Sequence, residues 1–491
     1  MQPQIIQPQI IQPQIDYSRK WYVMTAVAMS IFLATIDGSI VNVALPTLVR
    51  ELNTNFATVQ WVVLAYLLTI STLLLSMGRL GDMIGKKPIY IAGFIGFTIG
   101  SVLCGLAPTI HWLIAFRAVQ ALGASMTMAL GMAIITEAFP PRERGRALGI
   151  GGSIVSVGIV VGPTLGGIIL DALSWHWIFF VNLPVGIIGT IVALKFVPDF
   201  KPTGAQKFDY PGAITLFISL LAFLLALTWG QQIGFTDPRI LLLFVVWVTF
   251  LAVFIITEWR MPQPMIDLRL FTNNLFSINL ITGLMTFVAI AGAIILMPFY
   301  LEGILGYAPR QVGLMMAFIP IGLGVMAPIS GALSDRFGSR PITVAGLLIL
   351  VSGYMAMSTL TADTTVWGYA WRVLPIGIGM GIFQSPNNSA VMGAAPRERL
   401  GIASGLLSIT RTLGQVTGIA ILGAVWAARV MLYHGSVLAE GATTASVPAQ
   451  ISGLQDTFWG VSGWVMIALM LSVWGLIQEY RTRRALVPKS G

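Results

Sequence analysis

GRLGDMIGKKP, Gly78 to Pro88, returns 253 residues later as GALSDRFGSRP, Gly331 to Pro341. Glycine, leucine, aspartate, glycine, a basic residue and proline hold the same places in both, and long apolar runs flank each copy. Other landmarks recur at nearly the same offset. FRAVQALGA from Phe116 is answered by WRVLPIGIG from Trp371, which sets Arg117 over Arg372. PRER from Pro141 recurs at Pro396, and Gly158, Gly162 and Gly167 recur as Gly414, Gly418 and Gly423. Such a period far exceeds the roughly 20–50 residues of solenoid repeats. It describes a bundle of membrane helices duplicated within one chain, an arrangement that puts a site between the halves.

Composition agrees. The chain is 56% apolar and only 10% charged, against about 25% charged for a soluble protein. Apolar runs of about 20 residues, each able to span the hydrocarbon core, start near Trp21, Gln60, Pro88, His111, Ala147, Trp177, Pro211, Pro238, Phe276, Gln311, Pro341, Val366, Gly401 and Thr457. They are continuous rather than alternating, which predicts fourteen helices in preference to a barrel. With the N-terminus inside, all but seven of the 28 Lys and Arg fall in inner loops. Arg50, Arg239, Arg310 and Arg429 face out, and Arg117, Arg372 and Arg411 lie within the runs. That bias predicts both termini in the cytoplasm of a multi-pass cell-membrane protein. The net charge of +9 is then topology, and no nucleic-acid partner is expected. Cys104, the one cysteine, allows no intramolecular disulfide.

The repeat divides the chain into bundles at 21–200 and 271–484, with an insert at 201–270 that has no repeat partner. The insert opens with KPTGAQKFDYPG, carries two spans and closes with EWRMPQPMIDLRLF. An even number of added helices leaves the second bundle in the same orientation. QPQIIQPQIIQPQI reads as part of a disordered tail over 1–20 rather than a signal, lacking a charged leader, and 485–491 as a second tail. The stretch 431–456 reads as the longest outer loop.

In the first loop copy, Gly78 and Gly85 permit close approach and a tight turn. Asp82 can accept hydrogen bonds from the start of the next helix, while Lys86 and Lys87 anchor to the inner membrane face. Gly331, Asp335, Arg336, Gly338 and Arg340 are the second copy. A topogenic turn and a latch between halves both fit, and duplication of the whole pattern favours the latch. Asp37 is the acidic residue placed deep in a run. A carboxylate at a helix centre costs about 2.5–3.5 kcal/mol on insertion scales, and moving it between an apolar and a cationic environment would load and release a proton. The plainer reading is a hydrogen bond to a neighbouring helix. Arg117 is as costly and cannot discharge; Gln120, Ala121, Ala124 and Met128 share its face. Gly158, Gly162 and Gly166 form a small-residue stripe for tight helix contact, and Pro163 bends its helix.

These segments together resemble the major facilitator superfamily, in its fourteen-helix drug:proton antiporter branch, over about residues 20–480. Gly78 to Tyr90 is similar to the superfamily's loop motif. IDGSIVNVALP (Ile36 to Pro46), LIAFRAVQALGAS (Leu113 to Ser125), GIVVGPTLGG (Gly158 to Gly167) and WHWIFFVNLPVG (Trp175 to Gly186) are similar to the branch's signatures in helices 1, 4, 5 and 6. The resemblance implies two pseudo-symmetric six-helix bundles plus two inserted helices, all α. It further implies a proton-coupling role for Asp37 and Arg117, and an antiport-associated bend at Pro163 within the Gly158–Gly167 motif. Backbone bonding that holds the fourth helix is the rival role for Arg117. Ile419 stands where Pro163 would repeat, Met83 replaces the loop's usual arginine, and Glu302 reads as a vestibule charge.

A lipophilic substrate needs apolar walls with a few polar groups. Trp61, Tyr66, Met126, Met128, Phe383, Gln384, Asn387 and Asn388 are the candidates. The expected activity is proton-driven export of lipophilic, mainly cationic compounds by alternating access. Export of one endogenous metabolite and nutrient symport are its rivals. Lipids and protons are the other partners; a periplasmic adaptor is left open, and a monomer is the expected unit. No enzyme, cofactor or metal site is expected, since no phosphate loop is present and His111, His176 and His434 are scattered.

Overall fold

The computed structural model describes residues 17–140, 143–199, 209–261, 268–394, 400–436, 438 and 441–486. The N-terminal QPQII repeat, most of the C-terminal tail, most of both linkers of the insert and the whole second PRER copy lie outside the described residues. Among these residues there are fourteen long helices and no strand. They are α1 (Lys20–Glu51), α2 (Phe56–Ile84), α3 (Lys86–Gly105), α4 (Ile110–Ala138), α5 (Arg144–Ala172), α6 (Trp177–Phe196) and α7 (Tyr210–Ile233). Then follow α8 (Pro238–Arg260), α9 (Asn274–Ile304), α10 (Pro309–Phe337), α11 (Ser339–Met357), α12 (Val366–Ala394), α13 (Leu400–His434) and α14 (Val447–Leu486). Thirteen are long and apolar enough to cross a membrane. The exception, α12, is 29 residues long and carries the polar run Gln384, Ser385, Asn387, Asn388, Ser389.

Local chemistry sets the ends. Asn55, Asp209, Asp237 and Asn273 each accept a backbone N–H in the first turn of α2, α7, α8 and α9, as caps should. Gly85 and Gly338, at φ 115° and 86°, make the turns into α3 and α11, so both loop copies use glycine where other residues are strained. The expected outer loop is shorter than 431–456. α13 runs on to His434 and α14 starts at Val447, and the Gln450 amide ties the chain before α14 to its first turn by donating to the Thr443 and Ala445 carbonyls at 3.1 and 2.8 Å.

Within the first half, α1 packs on α5, α3 on α4 and α2 on α4; eight helices later α9 packs on α13, α11 on α12 and α10 on α12. The repeat is thus visible in the packing. The inserted α7 and α8 form a hairpin, and α7 lies against both α2 and α13.

Many contacts between halves lie at the end opposite the one that carries Lys20, Lys86, Lys195 and Arg260, while nearer the basic end Gly405 of α13 meets Leu75 of α2. At the end away from the basic one, Arg50 pairs with Glu302, and Phe56 meets Phe299 and Trp426 edge-on at 4.9 and 4.8 Å. Gly167 sits against Arg310 and Gly313 of α10, and Gly423 against Gln60 of α2. Glu302 is therefore not a loose vestibule charge but a buried partner that joins the halves.

Candidate functional site

Asp37 on α1 and Arg117 on α4 are both fully buried, and they meet. An Arg117 Nη donates to Asp37 Oδ2 at 2.6 Å and to Gln120 Oε1 at 2.7 Å, while its Nε donates to the Val62 carbonyl of α2 at 2.9 Å. The Tyr66 ring lies under the guanidinium, 4.1 Å from its centroid. Asp37 Oδ1 accepts from Gln120 Nε2 at 2.8 Å and from Asn182 Nδ2 of α6 at 3.0 Å. Gln120 also donates to Ser101 Oγ of α3 at 2.8 Å.

Helices α1, α2, α3, α4 and α6 therefore converge on one carboxylate and one guanidinium. Taking two charges out of water costs several kcal/mol per ion. The geometry offsets this with a short charge-assisted bond and two neutral amides that satisfy the remaining carboxylate oxygen. Chemically, the pair is neutral overall but can change state at Asp37 alone. Protonating Asp37 removes the attraction and leaves Arg117 charged without a counter-ion, which forces the network to rearrange.

Other residues singled out from the sequence scatter. Trp61 donates its indole N–H to Thr228 of the inserted α7 at 3.1 Å, so it faces the insert and not a cavity. Tyr66 is buried in the ion-pair network and lines no opening. Met126 and Met128 cannot share a task, because two residues turn a helix by about 200°. Met126 packs on Gly93 of α3, whereas Met128, on the face of Arg117, is half exposed. Phe383 is buried in the core, its backbone against Gly346 of α11. Asn387 is buried beside Gly283 of α9, and Gln384 and Asn388 are half-buried.

The glycine stripe has a clear partner. Gly158, Gly162 and Gly166 meet Thr35, Ser39 and Ile40 of α1, and Ser39 Oγ donates to the Gly158 carbonyl at 3.2 Å. Gly167 and the Pro163 carbonyl instead touch α10 across the seam.

The loop copies differ from expectation. Lys86 is buried and does not reach the membrane face; it pairs with Asp82 at 3.4 Å and with Glu137 of α4. Asp82 thus takes a lysine rather than the backbone N–H groups of α3, whose start has no side-chain cap. Lys87 is half-buried, and Gly78 has room for a methyl group. In the second copy Gly331 approaches Ser385 of α12, Asp335 and Arg336 are exposed, and Arg340 is buried against Glu479 of α14 at 2.6 Å. The ion pairs of Lys86 and of Arg340 each stay within one half.

Three polar residues escaped the sequence reading: Asn182, Ser101 and Glu137. Asn182 was the most accessible, as the amide inside the otherwise apolar WHWIFFVNLPVG. Ser101 carries no signal, since serine is common in such runs.

The sequence matches the profile of the Major Facilitator Superfamily over residues 27–419. It is 34% identical to "Riboflavin transporter RibZ" of Clostridioides difficile (strain 630) over 458 residues, covering 93% of this chain and 97% of that one. It is 31% identical to "Multidrug transporter protein MdtP" of Bacillus subtilis (strain 168) over 450 residues, 90% of this chain and 82% of that one. Among solved structures, a bacterial homolog of the human lysosomal transporter Spinster, in an inward-facing and unoccupied conformation, aligns with a TM-score of 0.67 at 19% identity, over 93% of this chain and 97% of the other. That likeness concerns the fold.

Proposed function

We propose, from the premise that this chain belongs to the Major Facilitator Superfamily, that it is a proton-coupled antiporter exporting lipophilic compounds by alternating access. It is a multi-pass membrane transporter and not an enzyme. The proposal assigns 21–200 and 271–484 as the two moving bundles, a monomer as the working unit, and the basic end, with both termini, to the cytoplasm, following the positive-inside rule.

One observation carries the reading: a buried, titratable carboxylate bound to an arginine on five converging helices. In the arrangement described, Asp37 is bound and the end opposite the basic one is closed. A proton arriving at Asp37 would free Arg117, and the helices anchored to the pair, α1 and α4 above all, would shift relative to each other. Because the Gly158–Gly166 stripe couples α1 to α5, and α5 touches α10, movement of α1 reaches the seam. Pro163, at the point where α5 turns from α1 to α10, is the assigned bend. Met128, Gln384, Asn387 and Asn388 remain the proposed substrate contacts.

The expected preference for cations required Asp37 as a free counter-charge, and here three donors occupy it, so the proposal no longer includes that preference. A second reading, transport of a single metabolite, is supported by the likeness to a protein named for riboflavin. The test is purified protein in proteoliposomes with an imposed pH gradient and a panel of dyes together with riboflavin. Gradient-driven movement of several dyes, abolished in Asp37→Asn, supports the proposal. Movement indifferent to the gradient rejects it, and movement of riboflavin alone supports the second reading.

A further inference from the structure

Arg411 lies inside the apolar span of α13, eleven residues from the start of the helix. Among the described residues it has neither an ion-pair nor a hydrogen-bond partner; its guanidinium carbon lies over the Phe287 ring of α9, 6.0 Å from the ring centroid. An arginine in a span belongs at a bundle interior or a water-filled cavity and marks a substrate or ion path by default. Its neighbours on the helix say which. Ser404, Ser408, Arg411 and Gln415 recur at steps of four, three and four, one face of a helix. Opposite them Leu406, Ile409 and Val416 are buried.

Along the polar face Ser404 and Ser408 are exposed, Arg411 and Gln415 half-buried, and Gly418 and Leu422 buried. A stripe that is polar towards the basic end, passes to glycine and leucine and becomes covered step by step reads as the wall of a cleft open at the basic end and shut at the other. On the facing half, Met128 and Met132 of α4 are likewise exposed on the side of Arg117.

A second group points to a ligand at the same place. Asn387 of α12 is 3% exposed and its Oδ1 has no hydrogen-bond partner. Its amide lies against Gly283 of α9, one turn from the Phe287 that Arg411 touches. An amide and a guanidinium thus flank one short apolar segment of α9. Across the cleft, Asp37 and Arg117 neutralise each other, so the unmatched charge that the cleft presents is the positive charge of Arg411.

We infer that Arg411 receives an anionic oxygen group, and that the exported compounds include lipophilic carboxylates held by this arginine, with the Asn387 amide and the Phe287 ring beside it. The fork of a guanidinium matches a carboxylate with two parallel bonds. The inference rests on reading the cleft as the transport path.

The test uses rhodamine B and its ethyl ester, which differ in a free or an esterified carboxylate. Binding is read by fluorescence anisotropy on purified full-length protein in lipid nanodiscs. The wild type should bind the acid more tightly than the ester. Arg411→Gln should weaken the acid at least tenfold and the ester less than twofold, so that ester binding reports an intact fold; Arg411→Lys should keep part of the difference. An equal loss for both dyes, an unchanged preference, or no binding of the acid by the wild type overturns the inference. Asp37→Asn, read only for gradient-driven export in proteoliposomes, reports separately on proton coupling. Normal export by that variant sinks the antiport reading and leaves an Arg411-dependent acid preference standing as evidence for the subsite.

Discussion

The two halves agree in their glycines and differ in their charges. Gly158 and Gly162 seat α5 on Thr35 and Ser39 of α1, as Gly414 and Gly418 seat α13 on Phe287 and Val288 of α9. Gly167 then crosses to the second half and Gly423 to the first. The arginines diverge. Arg117 is buried against Asp37, whereas Arg372 donates to Thr359 Oγ1 at 2.8 Å and to the Gly368 carbonyl at 2.7 Å, with its guanidinium over Trp371. The stretch of α9 that answers Asp37, Ile290 to Ala293, has no acid at all. Close helix crossing is a backbone requirement that both copies must meet. A buried ion pair is costly, and one half carries it while the other carries amides and an unmatched arginine.

The largest expected effect separates the two arginines. Removing one partner of a buried pair costs about 3–5 kcal/mol, because the other charge is left stranded. Asp37→Ala and Arg117→Ala should each lower the thermal midpoint in detergent by that much destabilisation. Arg372→Ala, with neutral partners only, should cost about 1 kcal/mol per hydrogen bond lost. Equal losses for Arg117→Ala and Arg372→Ala would erase the contrast. Asp37→Asn keeps size and most hydrogen bonds but cannot titrate, and should end proton-driven efflux with a smaller loss of stability. Arg117→Lys keeps the charge, loses the fork that reaches Asp37, Gln120 and Val62 together, and should transport poorly.

The glycines offer a smaller effect with a defined order. A methyl group at Gly162 meets chiefly Ser39, whose Oγ can rotate although its Cβ cannot, whereas one at Gly418 meets only backbone atoms of Val288. Overpacking costs roughly 1–3 kcal/mol, so Gly418→Ala should lie near the upper end and Gly162→Ala near the lower, in the same thermal assay. The reverse order would mean that α1 is held more rigidly than α9.

The repeat made the helix count and the packing symmetry legible in the sequence, because both follow from apolar length and from glycines at fixed spacing. Asp37 and Arg117 were legible for the same reason, since charge inside an apolar run is conspicuous. Their being partners was not, because residues 80 apart in the chain on different helices meet only through the bundle. That Trp61 meets Thr228 and Tyr66 meets Arg117 was not legible, because an aromatic residue carries no mark of which neighbour it faces. Arg411 was counted for topology and passed over for function, although Ser404, Ser408 and Gln415 on its face were visible in the sequence.

The smallest effects concern the loop copies with which the duplication was recognised. Lys86 ties Asp82 on α2 to Glu137 on α4, and all three belong to one half. Its carboxylate partners are each about a third exposed, so Lys86→Ala should cost no more than about 1 kcal/mol. Asp335 and Arg336 are exposed, and Asp335→Asn or Arg336→Ala should stay within about 0.5 kcal/mol of wild type. Stability will therefore barely distinguish the copies, and accessibility should. Cys104, the native thiol, is buried, so Ser408→Cys on the polar face of α13 supplies a reporter of cleft opening at the basic end. If the first loop steadies α2 and α4 during the cycle, Asp82→Asn should leave the cleft open longer and raise labelling at that cysteine, and Asp335→Asn should not. Equal labelling in both backgrounds would mean that the copies act alike despite their different contacts. The loop would then be a turn that sets topology, with the coupling left wholly to Asp37 and Arg117.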